Sequence, residues 1–181
     1  MAAGRSEIWG AFAGGAWIDA SRPLRDATPV WPGDRPFALE QHRALDMVLS
    51  AYSGSCHAGT HLDAPLHLDP AGAAVDSVPL DRLVGPAELL HLPVAGRALE
   101  PSDLPTGWEP AWSRLLLRTD SYPLAAAVGP GFAGLSAGLV HWLGERGVAL
   151  LGIDTPSVGS FAAADLPAHH ALLGRGISWI E

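Results

Sequence analysis

Short apolar runs alternate with amphipathic stretches in the second half of the chain. The runs in residues 113–120 and 148–154 predict two buried strands, because a strand covered on both faces carries few polar side chains. Between them, Ser136 can cap a helix that carries an apolar stripe and ends near Gly147. Residues 166–181 predict a short helix followed by a last strand. This alternation indicates an α/β or mixed α+β fold, with a central mixed β-sheet and flanking helices.

The first half of the chain is richer in turn-forming residues. Residues 16–24, 46–56 and 89–94 each predict a strand. Pro32 and Gly33 stand between apolar residues and predict a tight turn, because Pro presets φ and Gly accepts a positive φ.

The composition is that of an ordinary globular protein. The chain has 181 residues, of which 48% are hydrophobic and 17% charged, so it can bury a sizeable core in one domain. Its net charge of −8 argues against nucleic acid or an anionic membrane as a partner, because both bind basic surfaces. No window approaches the roughly 20 apolar residues of a membrane helix.

The N-terminus and the single cysteine bear on domain limits and compartment. Residues 1–15 are rich in Gly and Ala, and we expect a flexible segment there, followed by one domain over residues 16–181. The N-terminus lacks the long hydrophobic run of a signal peptide. Cys56 cannot form a disulfide within the chain and is interpreted as a core residue rather than a nucleophile. We therefore expect a cytoplasmic protein.

Residues 56–69, with the sequence CHAGTHLDAPLHLD, gather three histidines and two aspartates. His57, His61, Asp63 and His67 are separated by four, two and four positions. On a helix, Asp63 would lie on the side opposite His61. On an extended path all four side chains point the same way, and the intervening positions are mostly apolar. The pattern therefore predicts one polar and one apolar face of a strand, with Pro65 ending or bending it.

Two imidazoles and a carboxylate on one face are a ligand set for a divalent transition metal such as zinc or manganese. Zinc takes about four ligands, so others must come from elsewhere in the chain. The candidates are His169 or His170, and Glu181. The alternative is a solvated strand face. We favour a site because the four polar residues share one phase opposite apolar neighbours.

The stretch HAGTHLDAPLH, residues 57–67, resembles the signature of the cyclase family of metal-dependent hydrolases, His-x-Gly-Thr-His-x-Asp-x-Pro-x-His. Further segments match in order over most of the chain: PVWPGD, LLLRT, ERGVALLGIDTPSV and LPAHHALLGRGISWIE. VWPGD and GIDTPSV resemble the kynurenine formamidase (arylformamidase) branch of that family. The resemblance implies a swivelling β/β/α-type fold and a homo-oligomer, a dimer or a tetramer.

The resemblance also implies a centre of two metal ions per subunit, usually zinc, with manganese as an alternative. By match to the motif, His57, His61 and Asp63 would hold one ion. Asp63 would bridge to a second ion, held by His169 and Glu181. We prefer His169 to His170 because its spacing to Glu181 fits the family's pattern, although the residues alone do not decide between them.

The same match assigns two further roles. His67 corresponds to the proton donor and acceptor, and Trp31 to an aromatic residue that contacts the substrate. The implied reaction is hydrolysis of the formyl amide of N-formyl-L-kynurenine to L-kynurenine and formate, in tryptophan degradation. The alternatives are another hydrolase of the family, acting on isatin or a related cyclic amide, and a non-catalytic metal-binding homologue.

The chain departs from the family pattern at three places, one of which is a shorter segment between Trp31 and His57. Members continue past the residue that matches Glu181 with another core strand, so the resemblance implies a chain truncated at the C-terminus, or a late strand supplied differently. Gly159 stands where formamidases commonly have an Asp. Outside these matches, Asp69 is interpreted as a turn residue, and we assign no site to Trp179.

Overall fold

The computed structural model describes residues 18–123 and 126–181, and these contain nine strands and three α-helices. The predicted flexible segment, residues 1–15, lies outside the described residues. The strands are β1 (Ala38–Ala44), β2 (Met47–Ser53), β3 (Leu62–Asp63), β4 (Glu88–His91), β5 (Ala98–Leu99), β6 (Arg114–Arg118), β7 (Gly134–Leu135), β8 (Leu150–Ile153) and β9 (Ser178–Ile180). The helices are α1 (Leu80–Leu83), α2 (Ala137–Glu145) and α3 (Pro167–Arg175). Short 3₁₀ helices cover Pro65–His67, Val75–Ser77 and Pro101–Asp103.

A five-stranded sheet in the order β3-β9-β8-β6-β4 forms the centre of the fold. The pairs β4/β6, β6/β8 and β8/β9 are parallel, whereas β3 pairs antiparallel with β9. The sheet is therefore mixed, and the prediction of a mixed α+β fold with a central sheet and flanking helices is confirmed. In the antiparallel pair Asp63 lies opposite Trp179, so the edge strand ties the polar stretch to the end of the chain.

The hydrophobic core lies between the sheet and the helices α2 and α3. Ser136 caps α2 as predicted, since its side chain accepts a hydrogen bond from the Leu139 amide at 3.0 Å. The apolar stripe of that helix is buried, and Leu172 of α3 and Trp179 of β9 belong to the same cluster. Burying large side chains such as these stabilises the fold by roughly 1.5–3 kcal/mol each.

Several details of the first half differ from expectation. The strand predicted for residues 16–24 is absent over the described residues 18–24. The strand predicted for residues 46–56 is β2, but its partner β1 was not predicted, because the exposed hairpin of these two strands lacks one buried apolar face. Cys56 is exposed, so its interpretation as a core residue is wrong. Within the described ranges, no helix is long and apolar enough to cross a membrane.

Candidate metal centre

The polar stretch does not follow the predicted extended path. Strand pairing covers only Leu62 and Asp63, and Pro65 begins the 3₁₀ helix Pro65–His67. Upstream, Gly59 adopts φ +72°, a left-handed conformation that breaks an extended run. The even spacing therefore does not place the four polar side chains on one strand face. A turn, a short strand and a 3₁₀ helix bring them together instead, and Leu66, one of the intervening apolar residues, is exposed.

His57, His61 and Asp63 nevertheless converge on one point. His57 Nδ1 lies 2.9 Å from Asp63 Oδ1 and 3.1 Å from His61 Nε2. His61 Nε2 lies 3.4 Å from Asp63 Oδ1. Donors held 2.0–2.1 Å from a tetrahedral zinc would be about 3.3 Å apart, so these separations suit one cation. The three residues form the first ligand group.

Asp63, His169 and Glu181 form a second ligand group, in which one donor atom from each residue lies within 4.8 Å of the others. His169 Nε2 is 3.5 Å from Glu181 Oε1, which also accepts a hydrogen bond from the Val158 amide at 2.8 Å. The backbones of His61 and Glu181 exchange two hydrogen bonds of 3.1 Å, which carries the β3/β9 pairing one residue further. Glu181 is thus held against the polar stretch.

The two neighbouring histidines of helix α3 point in different directions. His169 is buried, with 3% of its surface exposed, and belongs to the second ligand group. His170 is exposed. Consecutive residues of a helix point about 100° apart, so only one of them can face the sheet. The geometry supports the choice of His169, which as a metal ligand stays a prediction.

Electrostatics keeps the shared carboxylate charged. Burial acts to raise the pKa of Asp63, but its contacts with His57 and His61 outweigh burial and hold that pKa well below the usual range. The contact with Asp63 raises the pKa of His57. Burial alone would lower the pKa of His61, and the same carboxylate reverses that shift. Asp63 is therefore an anion near neutral pH, as a metal ligand must be.

A buried polar atom favours a cation here. Asp63 Oδ1, which lies near His57 and His61, is inaccessible and makes no hydrogen bond of acceptable geometry within the described part of the chain. Buried polar atoms are normally satisfied, and leaving one unpaired costs about 1–3 kcal/mol. Neutral imidazoles and carboxylates are the donors that zinc and manganese accept. The residues present therefore fit a divalent metal ion.

His67 lies beside both ligand groups without belonging to either. It ends the 3₁₀ helix Pro65–His67, and its ring centroid is 4.3 Å from that of His57 and 6.3 Å from that of His169. The residue is exposed, so a small molecule can reach it. Burial of part of its ring lowers the pKa of His67, which favours the neutral form near pH 7. A neutral imidazole in this place can accept a proton.

Trp31 lies in an aromatic cluster that sequence reasoning missed. The predicted turn is present, with the Asp34 amide donating to the Trp31 carbonyl at 2.9 Å and Gly33 at φ +94°. The Trp31 ring packs against Phe161 at 5.1 Å and Phe132 at 6.4 Å between centroids. Trp31 is 37% exposed, so its ring can still meet a ligand. The two phenylalanines lie more than a hundred positions after Trp31 in the sequence, and no local pattern links them to it.

The same turn supports a predicted metal ligand. The Ser55 hydroxyl donates to Asp34 Oδ2 at 2.6 Å and accepts from the His57 amide at 3.1 Å. Asp34 and Ser55 were not assigned a site role from the sequence, although the Pro-Gly-Asp turn was a local signal for Asp34. This chain of hydrogen bonds couples the Trp31 turn to the backbone of His57.

Gly159 lies directly against His169. A Cβ added at this position would sit 2.9 Å from Cε1 and 3.1 Å from Nδ1 of the imidazole, closer than side chains normally approach. The Gly159 amide donates to the Ser157 hydroxyl at 3.1 Å, and that hydroxyl lies 3.4 Å from His169 Nε2. The absence of a side chain at residue 159 therefore leaves room for the His169 ring in its present position.

Comparison with known proteins identifies the family. The sequence model of the Cyclase family, described as "Putative cyclase", matches residues 18–160. A kynurenine formamidase from Salinibacter ruber is 36% identical over 178 residues, which cover 92% of this chain and 81% of the relative. The chain belongs to the cyclase family.

Solved structures share the fold. Isatin hydrolase A from Labrenzia aggregata, bound to benzyl benzoate, superposes with a TM-score of 0.78 at 25% identity, covering 97% of this chain and 84% of that one. A predicted metal-dependent hydrolase from Bacillus stearothermophilus gives 0.75 at 25% identity, covering 91% and 80%. The relatives are hydrolases, and this chain is a hydrolase of the same family.

Proposed function

We propose that this chain is a divalent-metal amidohydrolase that cleaves N-formyl-L-kynurenine to L-kynurenine and formate. The observation that carries the proposal is the pair of ligand groups that share Asp63, with His67 beside both. The similarity to a kynurenine formamidase supports the choice of substrate.

The first ligand group would hold one ion and the second group another, with Asp63 common to both. Zinc fits the donor set best, and manganese is the alternative. A bound divalent ion would lower the pKa of a water molecule toward about 7 and polarise a carbonyl oxygen. The buried part of the centre, Asp63, His169 and Glu181, keeps bulk water away from one side of the reacting groups.

His67 would move the proton. Hydrolysis joins a water oxygen to the formyl carbon and breaks the bond between that carbon and the aryl nitrogen. The water gives one proton to a ring nitrogen of His67, and His67 returns it to the nitrogen of the leaving amine. The arylamine then departs neutral, and the other product is formic acid, which carries the water oxygen and releases its remaining acidic proton to solvent to become formate. Because His67 is exposed and adjacent to His57, it can face both the water and the leaving group.

The aromatic cluster would receive the aryl ring. Trp31 and Phe161 lie at a tilt of 39°, and Trp31 keeps an exposed face. An aromatic substrate ring on that face gains contact area and an aromatic pair worth about 0.5–1.5 kcal/mol. The hydrogen bonds from Asp34 through Ser55 to His57 hold this turn in place relative to the first ligand group.

Formate release from N-formyl-L-kynurenine tests the proposal. We expect turnover by the purified protein, loss of turnover after complete metal removal, and recovery with zinc or manganese. Activity that survives full metal removal would contradict the mechanism.

Isatin is the comparison substrate, because isatin hydrolase A shares the fold. Faster turnover of isatin than of N-formyl-L-kynurenine would indicate that the substrate of this chain is a cyclic amide. Zinc-dependent thermal stabilisation without hydrolysis of either compound would mark a non-catalytic homologue.

Substitution of Gly159 by Ala tests the second ligand group. The added Cβ is expected to displace the His169 imidazole and to weaken zinc binding about 10–100-fold, the usual effect of disturbing a ligand's support. Competition with a coloured chelator measures the affinity. Gly129→Ala is the matched control, because a Cβ there would meet no atom within 4 Å. Equal zinc affinity in both variants would contradict the prediction.

Assembly and compartment stay predictions. We infer a homo-oligomer, a dimer or a tetramer, because the family resemblance implies one, and a reducing compartment such as the cytoplasm, because the chain has a single cysteine.

A further inference from the structure

Trp179 is the buried partner of the carboxylate that both ligand groups share. It lies directly opposite Asp63 in the β3/β9 pair, and its indole Nε1 donates to Asp63 Oδ2 at 3.0 Å. Only 1% of Trp179 and 3% of Asp63 are exposed, so solvent does not compete for this hydrogen bond. The bond joins two residues that are 116 positions apart in the sequence.

The two carboxylate oxygens of Asp63 make different contacts. Oδ2 is engaged by a neutral donor, whereas Oδ1 is the oxygen that lies near His57 and His61. A carboxylate without the indole could rotate about its Cβ–Cγ bond and exchange the two oxygens. The indole removes that freedom and leaves the negative charge unneutralised, as a metal ligand requires.

Trp179 also contacts the second ligand group. Its ring lies perpendicular to that of His169, at 86°, with 6.0 Å between centroids. This edge-to-face arrangement is the favoured one for aromatic pairs, and it limits rotation of the imidazole. One side chain therefore touches the shared carboxylate by a hydrogen bond and the second group's histidine by packing.

We propose that Trp179 is a positioning residue of the metal centre, whose indole N–H directs Asp63 Oδ1 toward the cation. The proposal rests on the proposed function, because it takes Asp63 as a metal ligand. The competing view is that Trp179 only fills the core, where a buried indole N–H would need some acceptor in any case. The two views differ in what removal of the N–H does to metal affinity.

Trp179→Phe removes the N–H and keeps an aromatic ring in the core. Trp108→Phe is the matched control, because the Trp108 indole also donates to a carboxylate, Glu88 Oε1 at 2.7 Å. Glu88 belongs to β4, at the edge of the sheet opposite β3. Both variants lose an indole–carboxylate hydrogen bond, but only one of them loses it beside the ligand groups.

Zinc affinity is measured by chelator competition on metal-depleted protein, with circular dichroism to confirm folding. We expect Trp179→Phe to bind zinc about 10–100-fold more weakly, as loss of a ligand's hydrogen-bond partner usually does, and Trp108→Phe to bind like the unaltered protein. Equal zinc affinity for folded Trp179→Phe and the unaltered protein would overturn the proposal. So would an equal loss in both variants, since a general loss of packing would then explain it.

A second measurement covers the case in which Trp179→Phe does not fold. In unaltered protein labelled with ¹⁵N at its indoles, the Trp179 N–H signal is expected to shift when zinc is added. The Trp108 N–H signal, which is identified by its absence from the Trp108→Phe spectrum, is expected not to shift. A Trp179 signal that does not respond to zinc overturns the proposal.

These readouts separate two kinds of failure. Zinc binding with the expected Trp179 effect, but without formamide hydrolysis, would overturn the proposed substrate and keep the positioning role. Unaltered protein that binds no zinc would overturn both.

Discussion

Asp63→Asn is expected to abolish zinc-dependent hydrolysis and to weaken zinc binding by more than about 100-fold, beyond the usual effect of losing an outer hydrogen-bond partner. Asn has nearly the same shape but no charge, and Asp63 is the one residue common to both ligand groups. The amide oxygen can still accept the Trp179 indole N–H, so the variant is expected to fold. Metal content per chain after dialysis and formate release measure the two effects.

Asp69→Asn is the control for that substitution. Asp69 belongs to the same stretch, but it is exposed and accepts a hydrogen bond from the Ala71 amide at 2.9 Å, as a turn residue does. We expect this variant to bind zinc and release formate like the unaltered protein. If Asp63→Asn kept its full metal content, Asp63 would not be a ligand of either group.

His67→Ala is expected to lower kcat by about 10²–10⁴-fold while metal content stays unchanged. That factor is the usual contribution of a positioned general acid–base group. His67 lies outside both ligand groups, so its removal takes away the proton carrier and leaves the cation's donors in place. Steady-state formate release and metal analysis of the same preparation give the two numbers.

His170→Ala is the matched histidine control. His170 is exposed and follows His169 directly, so it tests the choice between the two neighbours as well. We expect unchanged kcat and unchanged metal content. Loss of metal from His67→Ala would make His67 a ligand rather than a proton carrier, and loss of metal from His170→Ala would reverse the assignment in helix α3.

The structure brings His57, His61 and Asp63 together by a different backbone path from the one that their spacing predicts. The even spacing of His57, His61 and Asp63 predicts a common strand face, but only Asp63 of these three lies in a strand. They still converge, because Asp63 follows His57 by only six positions and a turn at Gly59 folds the chain back between them. A short chain segment that carries several ligands can bring them together by more than one backbone path.

The second half of the fold followed from local patterns. The strands β6 and β8 and the capped helix α2 were predictable, because each carries a continuous apolar run or a buried stripe with a cap. The hairpin of β1 and β2 was only half predictable. Its residues are exposed on both faces, so burial does not require apolar and polar residues to alternate along these strands.

By itself, the amino-acid sequence predicted the mixed fold, the family and the candidate ligands His57, His61 and Asp63, and through the family resemblance it also named His169 and Glu181 as candidates. Only the tertiary structure brings His169 rather than His170 close to Asp63 and Glu181, and places Gly159 and Trp179 beside them. The physical reason is that these contacts depend on β9 pairing with β3 and on how α3 packs against the sheet. Local periodicity carries no information on such pairings.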